Sequence, residues 1–159
     1  MTTATKQLIE SKWNTQKIQE ETARLLASQW MAAYGVICEH GEEAIKKFEN
    51  VKRQEKVAYF KALKVTTPME LVKAMAEFEA NVFGSKIEIW GDDKQAHLSY
   101  KTCGMWEALK KFGHMSKEQE EKMGAQFENC TSMFAKEFGF KGETKFEGEN
   151  CATLTFTKE

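Results

Sequence analysis

The feature that most constrains this chain is a change of hydrophobic period near residue 85. Before it, apolar residues recur every three to four positions; after it, Lys86-Ile87-Glu88-Ile89-Trp90 alternates with period two. A period near 3.6 lines one face of a helix, and a period of two lines one face of a strand. Helices therefore come first and paired strands follow.

In residues 15–40 the inward stripe reads as Ile18, Leu25, Leu26, Trp30, Ala33 and Ile37. Gly41 supplies the stop, since glycine adopts the left-handed cap without a Cβ penalty. A second helix spans residues 42 to about 63, with Ile45, Phe48, Val51 and Ala58 inward. The third has the clearest start: Thr67 caps, Pro68 takes the first helical position and Glu70 completes a capping box. It carries Leu71, Met75, Phe78 and Val82 and stops at Gly84.

Gly91-Asp92-Asp93 then turns the first strand into a second over residues 95–102. A short helix over residues 105–112 precedes Gly113. Ser116 with Gln119 starts the last helix, whose stripe is Met123, Phe127, Cys130, Phe134 and Phe138. A final hairpin pairs residues 143–147 with 152–157 around Gly148-Glu149-Asn150. Hairpins this short are marginal alone. The predicted class is α+β, with N-terminal helices followed by two β-hairpins that form one antiparallel sheet with helices packed on it. One domain covers residues 1–159. Within it, Leu8, Ile9 and Trp13 sit at helical spacing and predict an extension helix over residues 1–14.

Composition narrows the function classes. The net charge is -1, and Lys46-Lys47 and Lys52-Arg53 alternate with glutamates, which reads as a solvated helix face. No concentrated positive footprint for nucleic acid is visible. No apolar run approaches the roughly 20 residues of a membrane span, and the first residues lack a signal peptide's apolar region. The sequence thus predicts a cytoplasmic protein with no membrane partner. Cys38, Cys103, Cys130 and Cys151 are widely spread, which in a reducing compartment means free thiols.

Cys103 stands where a strand gives way to a helix. Helix N–H groups and the macrodipole there would favour a thiolate; the alternative is a small packed residue, with Gly104 present for backbone freedom. Cys130 lies on an apolar helical stripe. Cys151 shares strand parity with Thr153 and Thr155, and Cys103 shares it with His97, Ser99 and Lys101, away from Leu98 and Tyr100. Cys38 and His40 do not face one way on a helix, and His40 reads as a capping or core residue. His114 reads as a loop residue. Phosphate-loop, GxGxxG, GxSxG and HExxH motifs are absent. Eight methionines and eleven phenylalanines supply a core and would also suit an apolar small-molecule pocket or a helical dimer face.

From Trp30 onward the chain resembles the L-2-amino-thiazoline-4-carboxylate hydrolase-like proteins. The shared landmarks are Trp30, Gly41-Glu42-Glu43-Ala44, a charged strand ending in Cys103, Gly113, Cys130, and Cys151 before an alternating strand. Residues 147–156 are also similar to the closing motif of 4-vinyl reductase-type small-molecule-binding domains. Where the hydrolase-like proteins often carry Cys-Pro, this chain has Cys103-Gly104.

The resemblance implies a cysteine-dependent hydrolase or lyase for a compact sulfur- or nitrogen-containing molecule. Cys103 would be the nucleophile and His97 the base, with Cys130, Cys151, Trp106 and Tyr100 lining the pocket. A second reading is a sensor or carrier in which Cys103, Cys130 and Cys151 hold zinc or another soft metal, or in which the pocket takes a tetrapyrrole. A third is an accessory protein with inert cysteines. A homodimer built on the N-terminal helix completes the expectations.

Overall fold

The computed structural model of the chain describes residues 10–113, 115–148 and 150–159. Helix α1 runs Thr15–Cys38, α2 Glu42–Ala62 and α3 Pro68–Phe83; strands β1 (Lys86–Gly91) and β2 (Gln95–Thr102) follow. Then come α4 (Gly104–Phe112), α5 (Lys117–Lys136), β3 (Phe140–Gly148) and β4 (Cys151–Lys158). The four strands form one antiparallel sheet in the order β1-β2-β4-β3. This is the α+β arrangement read from the change of period.

Local chemistry sets the boundaries. Thr67 and Glu70 form the expected capping box at α3, and Ser116 and Gln119 form another at α5. Asn14 accepts from the Lys17 N–H at 2.8 Å and starts α1 there. The extension helix is thus corrected where it can be seen: residues 10–14 are not helical and Trp13 is exposed. Leu8 and Ile9 lie outside the described residues, as does His114. Among the described residues no helix is long and apolar enough to cross a membrane.

The inner sheet face carries Ala96, Leu98 and Tyr100 from β2 and Leu154 and Phe156 from β4. Against them pack Val57 and Phe60 of α2, Leu71, Val72 and Met75 of α3, and Phe134 and Ala135 of α5. Gly142 lets α5 lie directly on β3, since a Cβ there would meet Ala135 Cβ at 2.6 Å and the Thr131 carbonyl oxygen at 2.8 Å. A second cluster, Ala23, Ala27, Ala108 and Leu109, joins α1 to α4.

Two helical stripes are corrected. On α1 the small residues Ala23 and Ala27 face inward, while Ile18, Leu25, Leu26 and Val36 are exposed. Alanine allows α1 and α4 to approach closely, a fit that favours small side chains over large ones. On α2 the buried residues are Val57 and Phe60, whereas Val51 is 51% exposed.

Candidate functional site

A cavity of about 260 Å³ opens between the helices and the inner sheet face. Its floor is Tyr100, Leu154 and Phe156. One wall is the α5 stripe of Met123, Phe127, Cys130 and Phe134, and Trp30 of α1 and Met75 of α3 close other sides. That α5 stripe is the one the sequence spacing gave, because i, i+4, i+7 and i+11 share a helical face.

The opposite wall comes from α2. Glu49, Lys52, Arg53 and Lys56 line it at i, i+3, i+4 and i+7. In sequence these charges read as a solvated face; in the structure the same face overlooks an apolar cavity. Their long stems and rings explain the fit: Lys52 Nζ lies 4.7 Å from the Trp30 ring centroid and Lys56 Nζ 5.3 Å from that of Phe134. Lys52 also pairs with Glu49 at 3.2 Å. Arg53 donates from Nη2 to Asn50 Oδ1 at 2.5 Å and from Nη1 to Met133 Sδ at 3.5 Å. Its Nε is buried and meets no hydrogen-bond partner among the described residues.

Glu79 of α3 also lines the cavity. Burial pushes its carboxyl up, against the opposing pull of Lys56 and of the Ser85 hydroxyl, which donates to it at 3.3 Å. Burial and the neighbouring Glu79 hold the Tyr100 phenol well above its ordinary range. Burial, then Glu49, raises the Cys130 thiol, whose Sγ is 3.9 Å from Glu49 Oε2. Cys130 and Tyr100 therefore offer the cavity neutral protic groups, and its fixed cations belong to α2.

The raised Glu79 carboxyl has a testable consequence. A carboxyl whose folded pKa exceeds its unfolded value adds full stability below the unfolded pKa and loses it as pH rises through the folded one. The urea midpoint of the wild-type protein should thus fall from pH 4.5 towards neutrality more steeply than that of Glu79→Gln. Parallel pH curves for the two proteins would show that Glu79 carries no such cost.

Of the residues the sequence nominated, the cavity gathers Cys130 and Tyr100 and not the others. Ile87 pairs with Tyr100 and Lys86 with Thr102, which makes Lys101 an extra, bulged residue on β2. A bulge reverses the alternation beyond it. Cys103 accordingly packs with the main core, on Tyr100's side, and not with His97, Ser99 and Lys101. Its Sγ accepts from the Trp106 N–H at 3.4 Å, as an N-cap should. The expected thiolate is nevertheless corrected. Burial, reinforced by Glu79, pushes the Cys103 thiol up to about 11, outweighing the helix N–H groups of Trp106 and Met105.

His97 lies on the outer sheet face. Its ring stacks on Trp90 at 5.0 Å and its Nδ1 is 3.0 Å from Thr155 Oγ1. Six residue steps, about 20 Å of extended chain, run from it to Cys103, and the two stand on opposite faces. It is not the base for that thiol. Trp106 packs in the second cluster between α1 and α4. Cys151 Sγ is 3.5 Å from the Lys101 carbonyl oxygen, which it meets as a donor. The three cysteines are not gathered at one site: Cys103 packs with the core, Cys130 faces the cavity and Cys151 meets the Lys101 carbonyl. Among the described residues no group of three or more His, Cys, Asp or Glu side chains could hold a metal ion.

Gly104 is explained by close approach. Its φ is not positive, and a Cβ there would lie 2.0 Å from the Phe83 carbonyl oxygen. Its N–H donates to Ser85 Oγ at 3.0 Å, while the Cys103 N–H donates to Asn150 Oδ1 at 3.2 Å. The Cys103-Gly104 junction thus ties α4 to the end of α3 and to the last hairpin. In comparison with known proteins, the chain matches no family model and no curated sequence.

Proposed function

We propose that the chain is a small-molecule-binding module whose ligand occupies the cavity between α2, α5 and the sheet. The observation that carries this reading is the charged stripe of α2 at the rim of an apolar cavity, with Arg53 half-buried and Lys56 exposed. Protein interiors normally close such gaps, and here an apolar space stays open beside two cations that have no carboxylate within ion-pair distance among the described residues. Apolar walls with a few placed polar groups are the usual composition of ligand sites. At about 260 Å³ the space suits a compact molecule, since the pockets of drug-sized ligands span roughly 300–1,000 Å³.

The cysteine-hydrolase reading draws little support from this geometry. Cys103 is absent from the cavity wall, its thiol is protonated at neutral pH, and His97 is out of reach. The expected homodimer has a surface to use in the exposed Ile18, Leu25, Leu26 and Val36 of α1. Light scattering showing a monomer at micromolar concentration would remove it.

A thermal-melt screen with compact aromatic and heterocyclic molecules tests the binding reading. A ligand at 100 times its Kd stabilises by about 2.7 kcal/mol, roughly 5–10 °C for a chain of this length. Cys130→Phe, which places a ring in the cavity, should abolish the shift. Hits that survive Cys130→Phe would move the site elsewhere, and a panel without hits would remove the reading.

A further inference from the structure

We infer that the cavity takes a compact aromatic anion, with its charged group held by Arg53 and Lys56 and its ring laid against the aromatic wall. The inference rests on the binding function proposed above and names the ligand's chemistry.

The charges decide the sign. Three cations and two carboxylates line the cavity: Lys52, Arg53 and Lys56 against Glu49 and Glu79. Glu49 is taken by Lys52 at 3.2 Å. Glu79 accepts from the Ser85 hydroxyl at 3.3 Å, and burial raises its carboxyl against the pull of Lys56, which lies beyond ion-pair distance. Arg53 and Lys56 are left without a carboxylate within ion-pair distance among the described residues. The guanidinium's two hydrogen bonds go to an amide and a thioether, both neutral, and Nε is buried without a partner. A guanidinium presents N–H donors in a fixed fork suited to the oxygens of a planar or tetrahedral anion. A cation placed here would face Arg53 and Lys56 with one protonatable carboxyl as its recourse.

The walls decide the body. Trp30, Tyr100, Phe127, Phe134 and Phe156 bring five aromatic rings to one small space. Rings so placed favour a flat aromatic body through stacked and edge contacts beyond simple burial. Cys130 and Met123 add polarizable sulfur to the α5 wall, beside the polar Gln126 and Thr131.

Isothermal titration with naphthalene-2-sulfonate and its near-isosteric neutral partner, naphthalene-2-sulfonamide, tests both parts. The wild-type protein should bind the sulfonate about 10-fold or more tightly than the sulfonamide, the range of a charge-assisted hydrogen bond. Arg53→Gln should bring the sulfonate down to the sulfonamide's affinity and leave the sulfonamide unchanged. Lys56→Met, on an exposed side chain that should not disturb folding, should act in the same direction. Lys46→Met, on the same helix but outside the cavity, should change neither. Equal affinities in the wild-type protein, or a preference that survives both cavity variants, would overturn the inference while leaving the binding function in place. Binding of neither compound at millimolar concentration would overturn the binding function and the inference with it.

Discussion

Iodoacetamide at pH 7 should modify Cys103 about 100-fold more slowly than an ordinary cysteine thiol. The alkylating species is the thiolate. A thiol raised from 9.0 to about 11 holds roughly 100-fold less of it at neutral pH, because each unit is a factor of ten. Packing against the core slows the reagent further. The helix N-terminus works in the opposite direction, through the Trp106 and Met105 N–H groups, and loses to desolvation and Glu79. Peptide mass spectrometry over a time course reads the result directly, with exposed Cys38 labelled early. Rapid, selective labelling of Cys103 would mean an activated nucleophile, and would return the hydrolase reading to first place.

Gly104→Ala should destabilise the protein by about 3 kcal/mol or more, a melting-temperature loss of roughly 6–12 °C for a chain of this length. The new methyl group would need the space of the Phe83 carbonyl, 2.0 Å from oxygen and 2.9 Å from carbon. Both are backbone atoms, at the end of α3 where Ser85 N–H already bonds back to the Glu79 carbonyl. Neither helix can withdraw without breaking the Gly104–Ser85 bond or the Cys103–Asn150 bond. Gly35→Ala makes the contrast: nothing lies within 4 Å of its Cβ position inside α1, so it should stabilise by about 0.5–1 kcal/mol. Equal melting temperatures for the two variants would refute the packing explanation for Gly104.

Sequence reasoning reached the fold through its punctuation. Thr67-Pro68 with Glu70, Ser116 with Gln119, and the glycines between elements are short-range signals whose chemistry is complete within four residues. The α5 stripe was equally legible, because one apolar face of one helix met one partner surface. Errors arose where a helix had more than one environment. In α1 the large residues Leu25 and Leu26 looked like core, but close packing on α4 selected Ala23 and Ala27. In α2 Lys46-Lys47 and Lys52-Arg53 read as a solvated face; Lys46 and Lys47 are exposed, but Lys52 and Arg53 are half-buried at a cavity rim with Glu49 and Lys56, and periodicity cannot distinguish solvent from a cavity. The spacing of the four rim residues on one face was the available signal. Cys103 was misplaced by parity because a one-residue bulge at Lys101 leaves no mark in the sequence. Its elevated pKa comes first from burial and then from Glu79, 24 positions away in sequence, and only the fold supplies either.

The cavity also separates two kinds of cysteine that sequence treats alike. Cys103 holds a junction, whereas Cys130 faces a space that a ligand can enter. Whether that space is used is decided most directly by methyl NMR of protein labelled at its methionines. Met75 and Met123 line the cavity, Met123 where it also borders the second cluster, while Met31 and Met105 pack in that cluster without lining the cavity. Titration with naphthalene-2-sulfonate should shift the Met75 and Met123 methyl resonances saturably and leave Met31 and Met105 in place. Shifts confined to Met31 and Met105, or no methyl movement with either the sulfonate or the sulfonamide, would contradict a ligand site between α2, α5 and the sheet.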